Sequence, residues 1–112
     1  MSGSFTLTWT RTAVDDLLSI IDDVVDRDGA EAAERLYAQI TDGVAALETH
    51  PFRCRIVPEL EAEGIETYRE LLVGPYRLMF AVRQSEVVLL TAVDGRRDLG
   101  ELLLERALRE RD

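Results

Sequence analysis

The residues best equipped for chemistry in this chain are arginines. Arg69-Glu70 and Tyr76-Arg77 stand on neighbouring segments that alternate like strands, and Arg96-Arg97 follow a third segment in Asp94-Gly95-Arg96-Arg97-Asp98. A guanidinium presents a planar fork that grips a carboxylate or phosphate through two parallel hydrogen bonds, so Arg77 and the Arg96-Arg97 pair are candidate anion binders. Each also has a structural alternative: Arg77 lies diagonal to Glu70 and can form a cross-strand ion pair, while Asp94 and Asp98 can neutralise the Arg96-Arg97 turn. Other reactive side chains are few. His50 precedes Pro51 at a helix C-terminus, where a dipole contact suits it better than catalysis. Cys54 lies between Arg53 and Arg55, which would lower its pKa, but no base stands beside it. Asp15, Asp16, Asp22 and Asp23 form an acidic helix face without further clustered ligands. One Cys and one His exclude a disulfide framework and a Cys/His zinc site, and neither a metal nor a cofactor is expected.

Composition narrows the field further. The 112 residues, 46% of them hydrophobic, suit a single domain over 1–112. All 13 basic residues are arginine, none is lysine, and the formal net charge is −9. That balance argues against broad nucleic-acid binding and against docking on an anionic membrane. It is unevenly placed: residues 1–50 carry −7, residues 51–97 are neutral with seven arginines, and residues 98–112 carry −2. The start lacks a basic stretch followed by an apolar run, and no segment is apolar for about 18 residues, so a cytoplasmic location is expected.

The elements that position these residues follow from periodicity. Phe5, Leu7 and Trp9 alternate with threonines as a half-buried strand. Thr12 to Asp15 resembles a capping box opening a helix with Val14, Leu17, Leu18, Ile21, Val24 and Val25 on its stripe, stopped by Gly29. A second helix over 30–48 carries Ala33, Leu36, Tyr37, Ile40, Val44 and Leu47, and its Gly43 costs about 1 kcal/mol relative to Ala. The short connection predicts an antiparallel helical hairpin. Residues 51–66 read as irregular. Three strands follow over 67–73, 76–83 and 86–94, with Gly74-Pro75 and Gln84-Ser85 as two-residue turns. Asp98 can cap a last helix with Leu99, Leu102, Leu103 and Leu108. The expected class is α+β in the order β-α-α-β-β-β-α, an antiparallel meander with the hairpin on one face.

The Gly74-Pro75 turn sets a register in which Val73 opposes Tyr76, Leu72 opposes Arg77 and Arg69 opposes Phe80. One face then holds Leu71, Val73, Tyr76, Leu78, Phe80, Val82, Val87, Leu89 and Thr91, a floor for the hairpin. The second holds Tyr68, Glu70, Leu72, Arg77, Met79, Ala81, Arg83, Val88, Leu90 and Ala92. It is too apolar for water, so either the last helix or a partner covers it, with full coverage by so short a helix not expected.

These residues together resemble the RelE/ParE toxin superfamily of type II toxin–antitoxin systems. The resemblance runs through Trp9-Thr10, Ala13, Asp16-Leu17, Ala32-Ala33, Leu47 before Pro51 and Val57-Pro58-Glu59-Leu60. It is most specific in Tyr68-Arg69-Glu70-Leu71, Tyr76-Arg77-Leu78 and Gly95-Arg96-Arg97-Asp98-Leu99. It implies a small toxin held by a cognate, ParD-like antitoxin in a hetero-oligomer, the antitoxin docking by helix-in-groove or strand addition. Antitoxin contacts are then expected at Leu72, Arg77, Met79, Leu90 and the first helical hairpin.

Two branches of the superfamily imply different activities. RelE-like members cleave ribosome-bound mRNA with lysines, arginines and a tyrosine on the second face. Here Arg77 and Arg97 fall at the arginine positions, but the lysine positions fall on Tyr68 and Glu70 and the tyrosine position near Leu103. Such a site stabilises a developing phosphate charge poorly. ParE-like members inhibit DNA gyrase and are not nucleases, and the Tyr-Arg-Glu-Leu and Gly-Arg-Arg-Asp-Leu patterns resemble them more closely. The expectation is a ParE-like gyrase inhibitor with Arg77, Arg96 and Arg97 as toxicity residues and no direct sequence-specific nucleic-acid binding. The alternatives are an mRNA endonuclease using Arg69, Glu70 and Arg77, or a decayed toxin fold kept as an interaction subunit.

Overall fold

Residues 4–96 and 100–109 are described by the structure, a computed structural model. The first strand, β1 (Thr6–Trp9), ends where Thr10 turns extended and accepts the Ala13 N–H with its hydroxyl at 3.1 Å. Helix α1 (Arg11–Asp28) therefore starts from a Thr10 cap, two residues before the expected Thr12. Gly29 alone joins it to α2 (Ala30–Ala46), and the two helices lie antiparallel, with Ala13 and Leu17 meeting Ile40 and Val44 in one core. Gly43 has a packing reason: a Cβ there would stand 3.1 Å from the Leu71 side chain, so its absence seats α2 on the sheet.

Residues 51–66, expected to be irregular, contain a 3-10 turn (Pro51–Arg53), a two-residue strand β2 (Arg55–Ile56) and a short helix α3 (Pro58–Glu61). Pro51 and Pro58 each sit in the first turn of a helical segment, where the missing N–H costs nothing. The meander β3 (Tyr68–Val73), β4 (Tyr76–Arg83) and β5 (Glu86–Asp94) follows, and α4 (Gly100–Arg109) closes the described chain. The register across Gly74-Pro75 is the expected one: Val73 opposes Tyr76, Leu72 opposes Arg77 and Arg69 opposes Phe80. The second turn closes with Gln84 at a φ of +56°, a left-handed residue where glycine or asparagine is usual.

Five strands line up as β1-β5-β4-β3-β2. All neighbours are antiparallel except β1, which runs parallel to β5, so the sheet is mixed rather than purely antiparallel. A bulge separates the pairs Phe80–Leu89 and Met79–Thr91, leaving Leu90 as the extra residue. It reverses the alternation beyond that point. Ala92, expected on the second face, joins the core under the hairpin, and Thr91, expected there, opposes Met79 on the second face.

Each face has its own core. Phe80, Leu78, Leu89 and Val87 pack under α1 and α2, and Met79, Ala81, Val88, Leu90 and Val93 pack under α3 and α4 through Val57, Leu60, Leu103 and Ala107. Helix α4 is pinned where the bulge lies. The Asp16 carboxylate accepts from the Thr91 hydroxyl, from the Ala92 N–H at 3.1 Å and from Arg106 at 3.0 Å, and Arg106 also reaches Thr91 at 2.7 Å. Among the described residues, no helix is long and apolar enough to cross a membrane.

Candidate target and antitoxin surfaces

Arg77 projects from β4 onto the second face and meets two carboxylates. Its Nε donates to Glu70 on β3 at 2.7 Å, and its two terminal nitrogens take both oxygens of Glu59 on α3, Nη1 at 2.7 Å. The other Glu70 oxygen accepts from Arg55 on β2. Two carboxylates and two guanidiniums thus neutralise one another, with Glu70 1% and Arg77 11% exposed. Hydrogen bonding to Arg77 holds the Glu59 carboxyl below the usual glutamate range, and the same contact raises Arg77 against the opposing effect of its burial. The cross-strand ion pair is real, and all three nitrogens of Arg77 face carboxylates rather than solvent. Glu59 is the partner the sequence did not point to. Its signal was Pro58 followed by two glutamates two apart, a helix start.

Gly95 makes room for that arrangement. Its N–H donates to the Pro75 carbonyl at 2.7 Å, and a Cβ there would lie 2.6 Å from the Arg77 Cδ and 2.9 Å from the Pro75 oxygen. Gly95→Ala is therefore expected to cost about 1–3 kcal/mol in urea unfolding, the usual range for forced overpacking. An unchanged midpoint would show that Arg77 has room to move.

The remaining arginines are dispersed. Arg69 lies on the opposite face from Glu70 and Arg77, donating to the Cys54 carbonyl at 2.6 Å and stacking 5.2 Å from the centre of the Phe52 ring. The endonuclease set Arg69, Glu70 and Arg77 is thus split across the sheet by strand alternation and does not converge. Arg96 folds back on Asp94, its guanidinium 2.6 and 2.9 Å from the two carboxylate oxygens, and this pairing raises its pKa. It stays largely exposed. Arg97 and the Asp98 cap lie outside the described residues.

Of the four meander residues expected as antitoxin contacts, Leu72 alone is exposed. Met79 and Leu90 are 1% and 2% exposed beneath α4, so of the two covers expected for the second face it is the last helix that lies over them, with Leu103 and Ala107 of α4 joined by Leu60 of α3, and these two residues are corrected as antitoxin contacts. Burial also corrects Cys54, whose thiol is pushed up in pKa despite the flanking arginines; Arg69 only partly opposes this. His50 precedes the 3-10 turn and is exposed. No group of three or more metal-ligating side chains occurs among the described residues.

The hairpin, also among the expected contacts, carries an apolar surface. Val14, Leu18, Val25 and Tyr37, expected in the core stripe, are exposed. With Trp9, Leu17 and Thr41, three of them line a groove of about 320 Å³ between α1 and α2. The signal was the width of the α1 stripe, six apolar residues where a helix needs fewer to cover one sheet face.

The family model described as ParE toxin of type II toxin-antitoxin system, parDE, matches residues 7–100. The chain belongs to the ParE toxin family. The match begins in β1 and ends at the first residue of α4, so it spans the whole sheet and the hairpin. Among solved structures, this ParE-family chain is similar to the chromosomal ParDE toxin–antitoxin system from P. aeruginosa, with a TM-score of 0.67 and 26% identity. That likeness covers 81% of this chain and 96% of the other. It also shares the fold of the RelBE2 toxin–antitoxin complex from Mycobacterium tuberculosis, with a TM-score of 0.56, 19% identity and coverage of 84% and 94%. No curated protein matches it.

Proposed function

We propose that this ParE-family chain is the toxin of a type II toxin–antitoxin module, that it inhibits DNA gyrase by binding it, and that a ParD-like antitoxin neutralises it. The observation that carries the reading is the closed state of Arg77 in a family member without lysine. A phosphate-cleaving site needs preorganised cationic donors aimed at developing negative charge. The second face offers Glu70 and Glu59 there, already paired with the arginines. Inhibition by protein contact requires no such set. Arg96, exposed after β5, and Arg97, the next residue in sequence, are the target contacts in this reading.

Antitoxin docking falls to the hairpin groove rather than the second-face core. Val14, Leu18 and Tyr37 supply apolar anchors, and the helices that frame them carry most of the chain's negative charge. An amphipathic antitoxin helix with a basic polar side fits both features. Leu72 remains an outlying contact.

Purified protein incubated with gyrase, ATP and plasmid tests the reading. Accumulated cleaved plasmid or lost supercoiling is the expected result, and Arg97→Ala is expected to abolish it and growth inhibition while antitoxin binding is retained. Toxicity unchanged in that variant would move the target contact elsewhere. Normal supercoiling together with codon-position-specific mRNA cuts on ribosomes would replace the gyrase reading with the RelE-like one. Inertness in both assays would leave a decayed toxin fold.

A further inference from the structure

Asp16 gathers three elements onto one oxygen. Its Oδ2 accepts from the Thr91 hydroxyl and the Ala92 N–H of β5, the latter at 3.1 Å, and from Arg106 of α4 at 3.0 Å. Arg106 also donates to the Thr91 hydroxyl oxygen at 2.7 Å. The reason lies in where β1 ends. It pairs with β5 only as far as Trp9 opposite Leu89, so beyond that point the edge of β5 has lost its partner strand. Side chains take over, because a buried backbone group still needs a partner. Thr10 donates its hydroxyl to the Leu90 carbonyl at 3.3 Å, and Asp16 accepts the Ala92 N–H. Helix geometry sets Asp16 about 200° around α1 from both Val14 and Leu18, on the side opposite the apolar groove they line.

The contact between Thr91 and Arg106 joins two residues 15 apart in sequence. It closes the neck of the stretch 92–105, which holds the end of β5, Arg96, Arg97 and most of α4. Asp16 ties that neck to α1. Apolar burial through Leu103 and Ala107 also holds α4 down, but it is non-directional and leaves the helix free to slide along the sheet. Hydrogen bonds demand a distance and an angle. Three of them meeting on one carboxylate oxygen therefore fix where α4 stands along β5. Asp16 and Arg106 are 21% and 20% exposed, which shields their attraction from much of the solvent screening.

We propose that Asp16 is a positioning residue for target binding: it clamps Thr91 and Arg106 together and so sets the anchor points of the segment that carries Arg96 and Arg97. That role rests on Arg96 and Arg97 being the target contacts. Asp16 itself touches neither the target nor the antitoxin groove, and it acts through the neck it closes.

Amide exchange on the full chain, with no gyrase present, reads the clamp. Exchange in α4 should quicken about ten-fold in Asp16→Ala and in Arg106→Ala relative to exchange in β4, the scale of a lost hydrogen bond to a charged group. The double variant should stay well short of the roughly hundred-fold product, since both changes remove one shared contact. Asp16→Asn, whose amide oxygen accepts from the same donors, should recover most of the protection. Inhibition of growth on induced expression and of gyrase supercoiling should both be lost with Asp16→Ala and return with Asp16→Asn. Val87→Ala, a truncation of a fully buried side chain at the other end of β5, controls for stability alone. It should lower the melting temperature and leave α4 exchange and inhibition as in wild type. Unchanged α4 exchange in Asp16→Ala overturns the proposal, as does inhibition lost equally in Val87→Ala, which would make Asp16 merely structural. Wild-type potency against gyrase in folded Asp16→Ala also overturns it and leaves the gyrase reading intact. A wild type that stops growth in an Asp16-dependent way without touching gyrase overturns the gyrase reading and supports the clamp. Should Asp16→Ala not fold, Arg106→Ala decides, because Asp16 keeps its bonds to Thr91 and Ala92 in that variant.

Discussion

Arg77→Ala is expected to lower the stability of the fold by roughly 3–5 kcal/mol, the usual cost of removing one partner from a buried ion pair. Glu70 is the reason. Its side chain is 1% exposed, and without Arg77 its charge keeps only the half-exposed Arg55. Helix α3 loses its tie as well, since both oxygens of Glu59 are held by Arg77. Urea unfolding read by circular dichroism measures the loss, and a midpoint within error of wild type would show that Glu70 finds another partner. Replacing the pair together, Arg77→Met with Glu70→Leu, should recover much of the loss, because apolar isosteres of a buried pair are often neutral. The pH dependence has a definite sign. The folded-state pKa of Glu59 is depressed. Its contact with Arg77 therefore contributes fully above the ordinary glutamate value of about 4.3 and is lost as pH falls through the lower folded value. The gap between wild type and Arg77→Ala should narrow in acid. Loss of toxicity in Arg77→Ala would then report a weakened fold before it reports a lost target contact.

Leu90→Glu is expected to abolish cooperative folding, whereas Leu72→Glu should change stability by no more than about 0.5 kcal/mol. Both leucines occupy the meander, and a charge at either would meet the antitoxin if the second face were open. Leu90 is 2% exposed, stacked with Met79 and Leu103 under α4, and its carbonyl accepts from the Thr10 hydroxyl at 3.3 Å. Burying an unpaired carboxylate there costs several kcal/mol, comparable with the 5–15 kcal/mol that holds a typical domain together. Leu72 is 51% exposed and its replacement stays in water. Thermal melting of the two variants distinguishes them. A Leu90→Glu variant that melts like wild type would mean that α4 does not rest on the sheet in solution.

Much of the local structure was legible because its causes are local. A two-residue connection at Gly74-Pro75 fixes which residues oppose across the hairpin, and the 3.6-residue stripe from Ala33 to Val44 fixes the core side of α2. The errors arose where distant partners decide. Thr10 caps α1 because β1 ends against Leu89, whose carbonyl accepts the Thr10 N–H at 3.0 Å. The Thr12 box has only its own spacing to recommend it. The Leu90 bulge reverses the faces of Thr91 and Ala92, and no feature of Leu89-Leu90-Thr91 announces it. Cys54 carries flanking arginines in sequence, but burial, which sequence neighbours do not set, dominates its pKa.

The same division holds for function. Residue types and their order determined the family, the α+β class, the β3–β4 register and the absence of lysine, because these depend on composition and on contacts a few residues apart. Only the tertiary structure decided which of those residues are available to a partner. Helices α3 and α4 sealed Met79 and Leu90, Glu59 closed the guanidinium of Arg77, and the sheet set Arg69 on the face opposite Glu70. It also left Val14, Leu18, Tyr37 and Phe52 in water. Exposure and ion pairing depend on what folds back from far along the chain, and a linear pattern does not encode that distance.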